Sequence, residues 1–349
     1  MTHDHDHHDP LHELLHRATD ALRDAAEAAG TFIGHTGPEP AENEPVGQKP
    51  APVNRKVLLV IFNPKVKTEG NRKLSEVMNW NNPDDLTTKH IADLKKVSYG
   101  YANYEVVERV EVDRMPVKAD GFMYDPDQFV RNMRSNSGFH QPDAVDYHRI
   151  LADFDVINKV NNGAIDEVWM HGFPYAGFYE SRMAGPGAFF CNAPPLENTD
   201  TAHRKFIIMG FNYQRGTGEM LENMGHRAES IMRQVFRDKH GEANLWEKFT
   251  RYDKTNPGQA EVGIVHYAPN SLKDYDWGNK TKVPTRAHTW QNFPNLAGTP
   301  RMANCADWGN GDTRLHHMWW FQYFPHITGG KDGIAYNWFK YCTDPNTVR

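Results

Sequence analysis

Lys56–Phe62 reads KVLLVIF and stops at Asn63-Pro64. Six apolar residues follow one another without alternation, the pattern of a strand buried on both faces of a sheet. Ile165–Met170 (IDEVWM) and Phe206–Phe211 (FIIMGF) read the same way, and Tyr104–Val112 alternates as a half-covered strand does. Between them, Pro83–Lys96, Tyr147–Val160 and Thr217–Phe236 carry helical periodicity. Asn82 caps the first helix and Asn161-Asn162-Gly163 ends the second. Strands alternating with helices predict an α/β fold, a mostly parallel sheet flanked by helices. Sites in such sheets lie beyond the carboxyl ends of the strands, here Asn63-Pro64, His171-Gly172-Phe173 and Asn212-Tyr213.

The texture changes near residue 255. Gly, Pro, Asn and Trp dominate, and six of the nine Trp lie beyond residue 270. The expectation is an α/β core over 55–254 and an irregular, aromatic-rich portion over 255–349 packed on it. Upstream, residues 1–9 form a His/Asp-rich tail. Residues 10–30 read as an amphipathic helix, capped by Asp9, opened by Pro10 and carrying Leu11, Leu14, Leu15, Ala18 and Leu22 on one face. Residues 31–54 read as a Pro-rich disordered linker. A tethered helix of this kind either packs back on its own body or docks in a protein partner's groove, as a cargo peptide does.

The 349 residues are 39% hydrophobic and 24% charged, and no run approaches the roughly 20 apolar residues of a membrane span. Nine Trp, 14 Tyr and 18 Phe argue against wholesale disorder. Residues 1–54 hold ten acids and three bases, so the rest of the chain is nearly neutral and has no basic stripe for nucleic acid. The start MTHDHDHHDP has no basic or apolar signal region, which favours a cytoplasmic protein, although a chain already relieved of its signal reads the same. Cys191, Cys305 and Cys342 suit reduced thiols, with one Cys305–Cys342 bond as the alternative in an exported form. Neither G-x-G-x-x-G after a strand nor a Walker loop occurs, so no nucleotide cofactor is expected.

Three groups carry candidate chemistry. On 217–236, Glu222, His226, Glu229 and Arg233 form one stripe opposite Met220, Leu221, Met224, Ala228 and Ile231. The i, i+3 and i, i+4 spacings let His226 and Glu229 act as metal ligands and Glu222 as general base; a solvated surface face shows the same pattern. The second group follows the strand IDEVWM and offers His171, Tyr175, Glu180 and Arg182, Glu180 as an alternative base and the others as substrate contacts or ordinary turn residues. The third is His266 in VGIVHY with His316, His317 and His326; His316 or His326 could complete a metal site begun by His226. Trp319 and Trp320 would stack on sugar rings if exposed and form core if buried.

The runs DEVWMHGFPYAGFYESRMAGPGAFFCNAPP, GEMLENMGHRAES and HHMWWFQYFPHITGGKDGIAYNWFKYCTDPN resemble an uncharacterised bacterial family over most of residues 55–349. The resemblance implies no particular activity, cofactor or catalytic residue; it implies export, which the start of this chain does not suggest. The residues themselves suggest a hydrolase using zinc or another divalent transition metal on a glycan or peptide. The alternatives are a non-catalytic carbohydrate-binding protein, and a cargo or structural protein docked by its N-terminal helix.

Overall fold

A computed structural model describes residues 45–349. Five strands make the main sheet: β1 (Val53–Phe62), β2 (Ala102–Val112), β3 (Glu167–Gly172), β4 (Ser181–Ala184) and β5 (Phe206–Asn212), in the order β2-β1-β3-β5-β4. The first four in that order run parallel, and β4 closes the edge antiparallel to β5. Val57–Phe62 are buried on both faces, as an unalternating apolar run requires. Each such side chain contributes roughly 1.5–3 kcal/mol on leaving water.

Helix α1 (Pro83–Val97) starts where the Asn82 side chain accepts the Asp84 and Asp85 N–H groups. The helical stretch read over 147–160 is two helices, Tyr147–Asp153 and Val156–Asn161, because Asp155 takes a left-handed conformation (φ 51°) between them. Helix α2 (Thr217–Phe236) has the limits that its sequence suggests.

The C-terminal portion is built from short pieces: ribbons of Val283–Thr285 with Arg301–Ala303 and of His326–Lys331 with Ile334–Asn337, and helix α3 (Thr313–Phe321). Aromatic packing takes the place of regular structure there. The Phe249 ring centre lies 5.0 Å from Trp290, 5.2 Å from Phe324 and 5.5 Å from Trp338. This cluster and the sheet share one continuous hydrophobic core.

One sequence expectation needs correcting. The disordered linker does not run to residue 54. Gly47 N–H donates to the Thr328 carbonyl (3.2 Å) and Thr328 N–H to the Gln48 carbonyl (2.8 Å), so the chain is already pinned to the C-terminal portion before β1 begins. Residues 1–44, and with them the readings of a His/Asp-rich tail, of a helix over 10–30 and of most of the linker, lie outside the described residues. All three cysteines are buried free thiols, in keeping with the reading of reduced thiols over the alternative Cys305–Cys342 bond. No helix of the described residues is long and apolar enough to cross a membrane.

The strand order reverses between β1 and β3, the place where open α/β sheets usually hold a ligand. Here that crevice is filled by the chain itself. The Tyr213 hydroxyl donates to the Phe62 carbonyl at 3.0 Å, and the Phe62 ring lies 5.7 Å from Phe178 and 6.4 Å from Phe154. The polar cluster of interest lies instead at the β4 edge.

Candidate metal centre

Helix α2 follows β5 through residues 213–216 and lies against the sheet. Its apolar face supplies core. Its polar stripe is not a solvated face: Glu222, His226 and Glu229 are all buried. The cover is the irregular segment 262–267. Gly225 makes that cover possible, because a Cβ there would lie 2.6 Å from Val265 Cγ2. The missing side chain lets Val265 approach the helix backbone, and His266 follows it onto the stripe. From the other side comes Glu180, one residue before β4, its carbonyl accepting the Gly210 N–H of β5 at 3.0 Å. The Asn192 side-chain amide holds the Glu180 carboxylate.

Three ligand-type atoms converge. His226 Nε2 is 3.0 Å from His266 Nε2, His266 Nε2 is 3.1 Å from Glu222 Oε1, and His226 Nε2 is 3.9 Å from that same oxygen. Among the described residues this is the one group of three such side chains whose ligand atoms all lie within 4.8 Å of one another. A point about 2 Å from all three atoms lies close to their plane, and about 2 Å is the length of imidazole and carboxylate bonds to a transition-metal ion. Glu180 Oε2 stands 3.9 Å from His226 Nε2.

The outer nitrogen of each imidazole faces a carboxylate. His226 Nδ1 is 3.2 Å from Glu229 Oε2, and His266 Nδ1 is 3.7 Å from Asp274 Oδ1. Glu229 accepts the Val265 N–H at 3.0 Å with its other oxygen, so one carboxylate ties the helix to the covering segment. Backing of this kind fixes ring orientation and tautomer in metal-binding histidines.

Burial pushes the Glu222 carboxyl up, but the neighbouring imidazoles of His226 and His266 outweigh it and hold it well below the usual range. Burial likewise lifts Glu229, and His226 brings it down to about 2. Burial lowers the His226 imidazole, yet Glu180, Glu222 and Glu229 together raise it well above its ordinary value. For His266, burial is outweighed by Asp274 and Glu222, and its value rises to about 9. A concentration of acidic oxygen that retains protons on imidazoles in this way also favours a cation.

The structure thus brings Glu222, His226, Glu229 and Glu180 together, with Glu229 on the outer nitrogen of His226 rather than among the converging atoms. His316 is buried nearby, its Nε2 3.2 Å from the Val265 carbonyl and its ring stacked on Trp277. His326 stacks on Tyr99 at 3.7 Å, in the C-terminal ribbon. His171 is a core residue facing Thr87 Oγ1 at 2.9 Å. Tyr175 stacks on Phe139 at 3.6 Å. Arg182 donates to the Pro194 carbonyl at 3.0 Å and lies 5.0 Å from the Tyr147 ring. Trp319 is buried between Trp308 and Tyr323, and Trp320 is enclosed with its Nε1 donating to the Gly263 carbonyl. Neither indole leaves a free face for a sugar ring.

Sequence reasoning put His266 among the candidates without giving it a role, and it missed Asp274, Tyr275 and Asn192. The available signal was an imidazole closing the apolar run VGIVHY, followed by a turn that brings back Asp274-Tyr275; the Tyr275 N–H donates to the His266 carbonyl at 3.2 Å. Compared with known proteins, the chain matches no family model, no curated protein and no solved structure.

Proposed function

We propose that the protein is a metal-dependent hydrolase that holds zinc or another divalent transition metal on Glu222, His226 and His266 and acts on a peptide or a glycan. The observation that carries this is the convergence of two imidazole nitrogens and one carboxylate oxygen on a single point. Two imidazoles and one carboxylate are also a ligand set of catalytic zinc sites, in which water or substrate takes a further position. A cation there supplies Lewis acidity to a water and to the bond under attack. Glu180, beside the cluster and oriented by Asn192, takes the proton from that water. Glu229 and Asp274 orient the two imidazoles. The carbohydrate-binding alternative has less support, because its stacking residues Trp319 and Trp320 are enclosed.

The test is elemental analysis of the full chain beside His226→Ala and His266→Ala, each after equilibration with zinc and gel filtration. The His-rich start binds metal equally in all three, so the difference isolates the site. The expected result is about one equivalent less in each variant. Equal metal content in all three overturns the proposal.

A further inference from the structure

Beyond the end of helix α2 lies a cleft of about 200 Å³. Stretches far apart in the chain wall it: residues 235–239, the hairpin turn 332–334, and residues within 340–349. The first brings Arg237 and Lys239, and the last brings Lys340 and Arg349. The acids of the lining are Asp238 and Asp332. Asp238 lies 3.6 Å from Arg237 Nε, with its carboxylate mostly in solvent. Lys239 and Lys340 form no ion pair among the described residues. Cations near a helix C-terminus are ordinary, since the dipole favours them. That accounts for Arg237, whose Nη1 donates to the Gln234 carbonyl at 3.1 Å. It does not account for Lys340 and Arg349, which reach the same cleft from the far end of the sequence. A further cation stands beside them, where Lys205 Nζ donates to the Val348 carbonyl at 3.2 Å. Like charges gathered in one place repel. Residues 55–349 as a whole are nearly neutral, so the excess belongs to this cleft.

We propose that this cleft binds a phosphate group, free or at the end of a larger molecule, between Arg237, Lys239, Lys340 and Arg349. The site is independent of the metal-centre reading. Arg237 stands 11 residues after His226, about 16 Å along the helix, so the two sites share a helix and no side chain. The cleft is smaller than the roughly 300–1,000 Å³ of pockets that enclose a drug-sized ligand, so the group it takes is small. Four cationic side chains face two acidic ones, an excess that a dianion balances. Guanidinium forks meet phosphate oxygens in pairs, and lysines add point charge. One fork is already fixed in place: Arg237 Nη1 donates to the Arg349 main-chain oxygen at 2.5 Å as well as to Gln234. A donor held in this way loses little freedom when the anion arrives.

The test is a titration of inorganic phosphate into the full chain, with chloride as the control anion. A chelator first removes any metal, so that phosphate cannot bind through it. The buffer is of low ionic strength at about pH 8, where a phosphate group is a dianion. The same titration is run on Lys239→Met, on Lys340→Met and on Lys331→Met, an exposed lysine of the neighbouring hairpin that does not line the cleft. Methionine keeps the aliphatic stem of lysine, and thermal melts check that each variant is folded. The expected result is about one equivalent of phosphate in the parent and in Lys331→Met. In Lys239→Met and Lys340→Met the binding should be about tenfold weaker or more, the loss of one charge-assisted contact. Phosphoserine, as a second probe, separates the two sources. Binding as tight as that of inorganic phosphate supports a cleft that holds the phosphate end of a larger molecule, and binding tenfold weaker supports one that takes the free anion. A parent chain that prefers phosphate no more than chloride overturns the proposal. So does phosphate affinity unchanged in both Lys239→Met and Lys340→Met.

Discussion

His226 has a polar neighbour on each ring nitrogen: Glu229 on Nδ1, and His266 and Glu222 around Nε2. Glu229→Gln keeps the shape but removes the charge and leaves one acceptor oxygen, so the Val265 N–H and the His226 ring can no longer both donate to it. Metal affinity is expected to fall about 10–100-fold, the usual cost of losing an outer partner, as measured by competition with a chelator. The protons on the two imidazoles give a second expectation. His226 is raised well above its ordinary value and His266 to about 9. A ligand must be neutral to bind a cation, so protons compete below those values and the competition fades as pH rises through them. Apparent zinc affinity should climb from pH 6 towards pH 9, by up to roughly tenfold per pH unit for each proton displaced. Affinity that is flat with pH, measured by the same competition, would count against both imidazoles as ligands.

At the scale of the element, α2 shows what one glycine decides. On a solvent-facing helix, Gly→Ala stabilises by about 1 kcal/mol. At Gly225 the new methyl would meet Val265, so Gly225→Ala is expected to destabilise by about 1–3 kcal/mol, the range for overpacking. It should also weaken zinc binding by lifting His266 off the stripe. Thermal melts and zinc titration read the two effects, and a raised melting temperature would show that the segment gives way easily. The same helix marks the limit of the sequence reading. Its ends were legible because Gly216, Gly218 and the apolar period are local signals. Its polar stripe was not, because the segment that buries it arrives 40 residues later without a period of its own. Glu222 and His226 could be picked out, but their partner could not, and neither could the direction in which Glu229 turns.

For the whole molecule, the sheet was readable where strands are buried on both faces, as at Val57–Phe62 and Phe206–Phe211. The short antiparallel β4 was not, since four residues at an edge carry no pattern. The C-terminal portion could be recognised as aromatic core but not arranged, because Trp and Phe contacts such as Phe249 with Trp290 leave no periodic trace. That core also encloses imidazoles. His90 lies between Trp169 and Phe211 with no hydrogen-bond partner on either nitrogen. Burial brings His90 and His171 each down to about 3. Their folded values lie below the unfolded 6.5, so the stability they allow is present above pH 6.5 and is lost as pH falls towards 3. The slope is on the order of 1.4 kcal/mol per pH unit for each such histidine. His90→Leu should therefore melt less steeply with acid than the parent between pH 6.5 and 4, a difference that thermal melts at stepped pH would show. Parallel curves would mean that the His90 site takes up a proton without unfolding.

His226 and His266 stand 40 positions apart in the chain. In the proposed loaded state, a cation between them closes that loop as a cystine would. By the loop-entropy estimate for a disulfide, such a closure is worth about 4 kcal/mol. The three thiols are free and buried. Such a covalent-like staple would be opened by a chelator and left untouched by a reductant, so the durability of the described residues would follow metal supply instead of redox state.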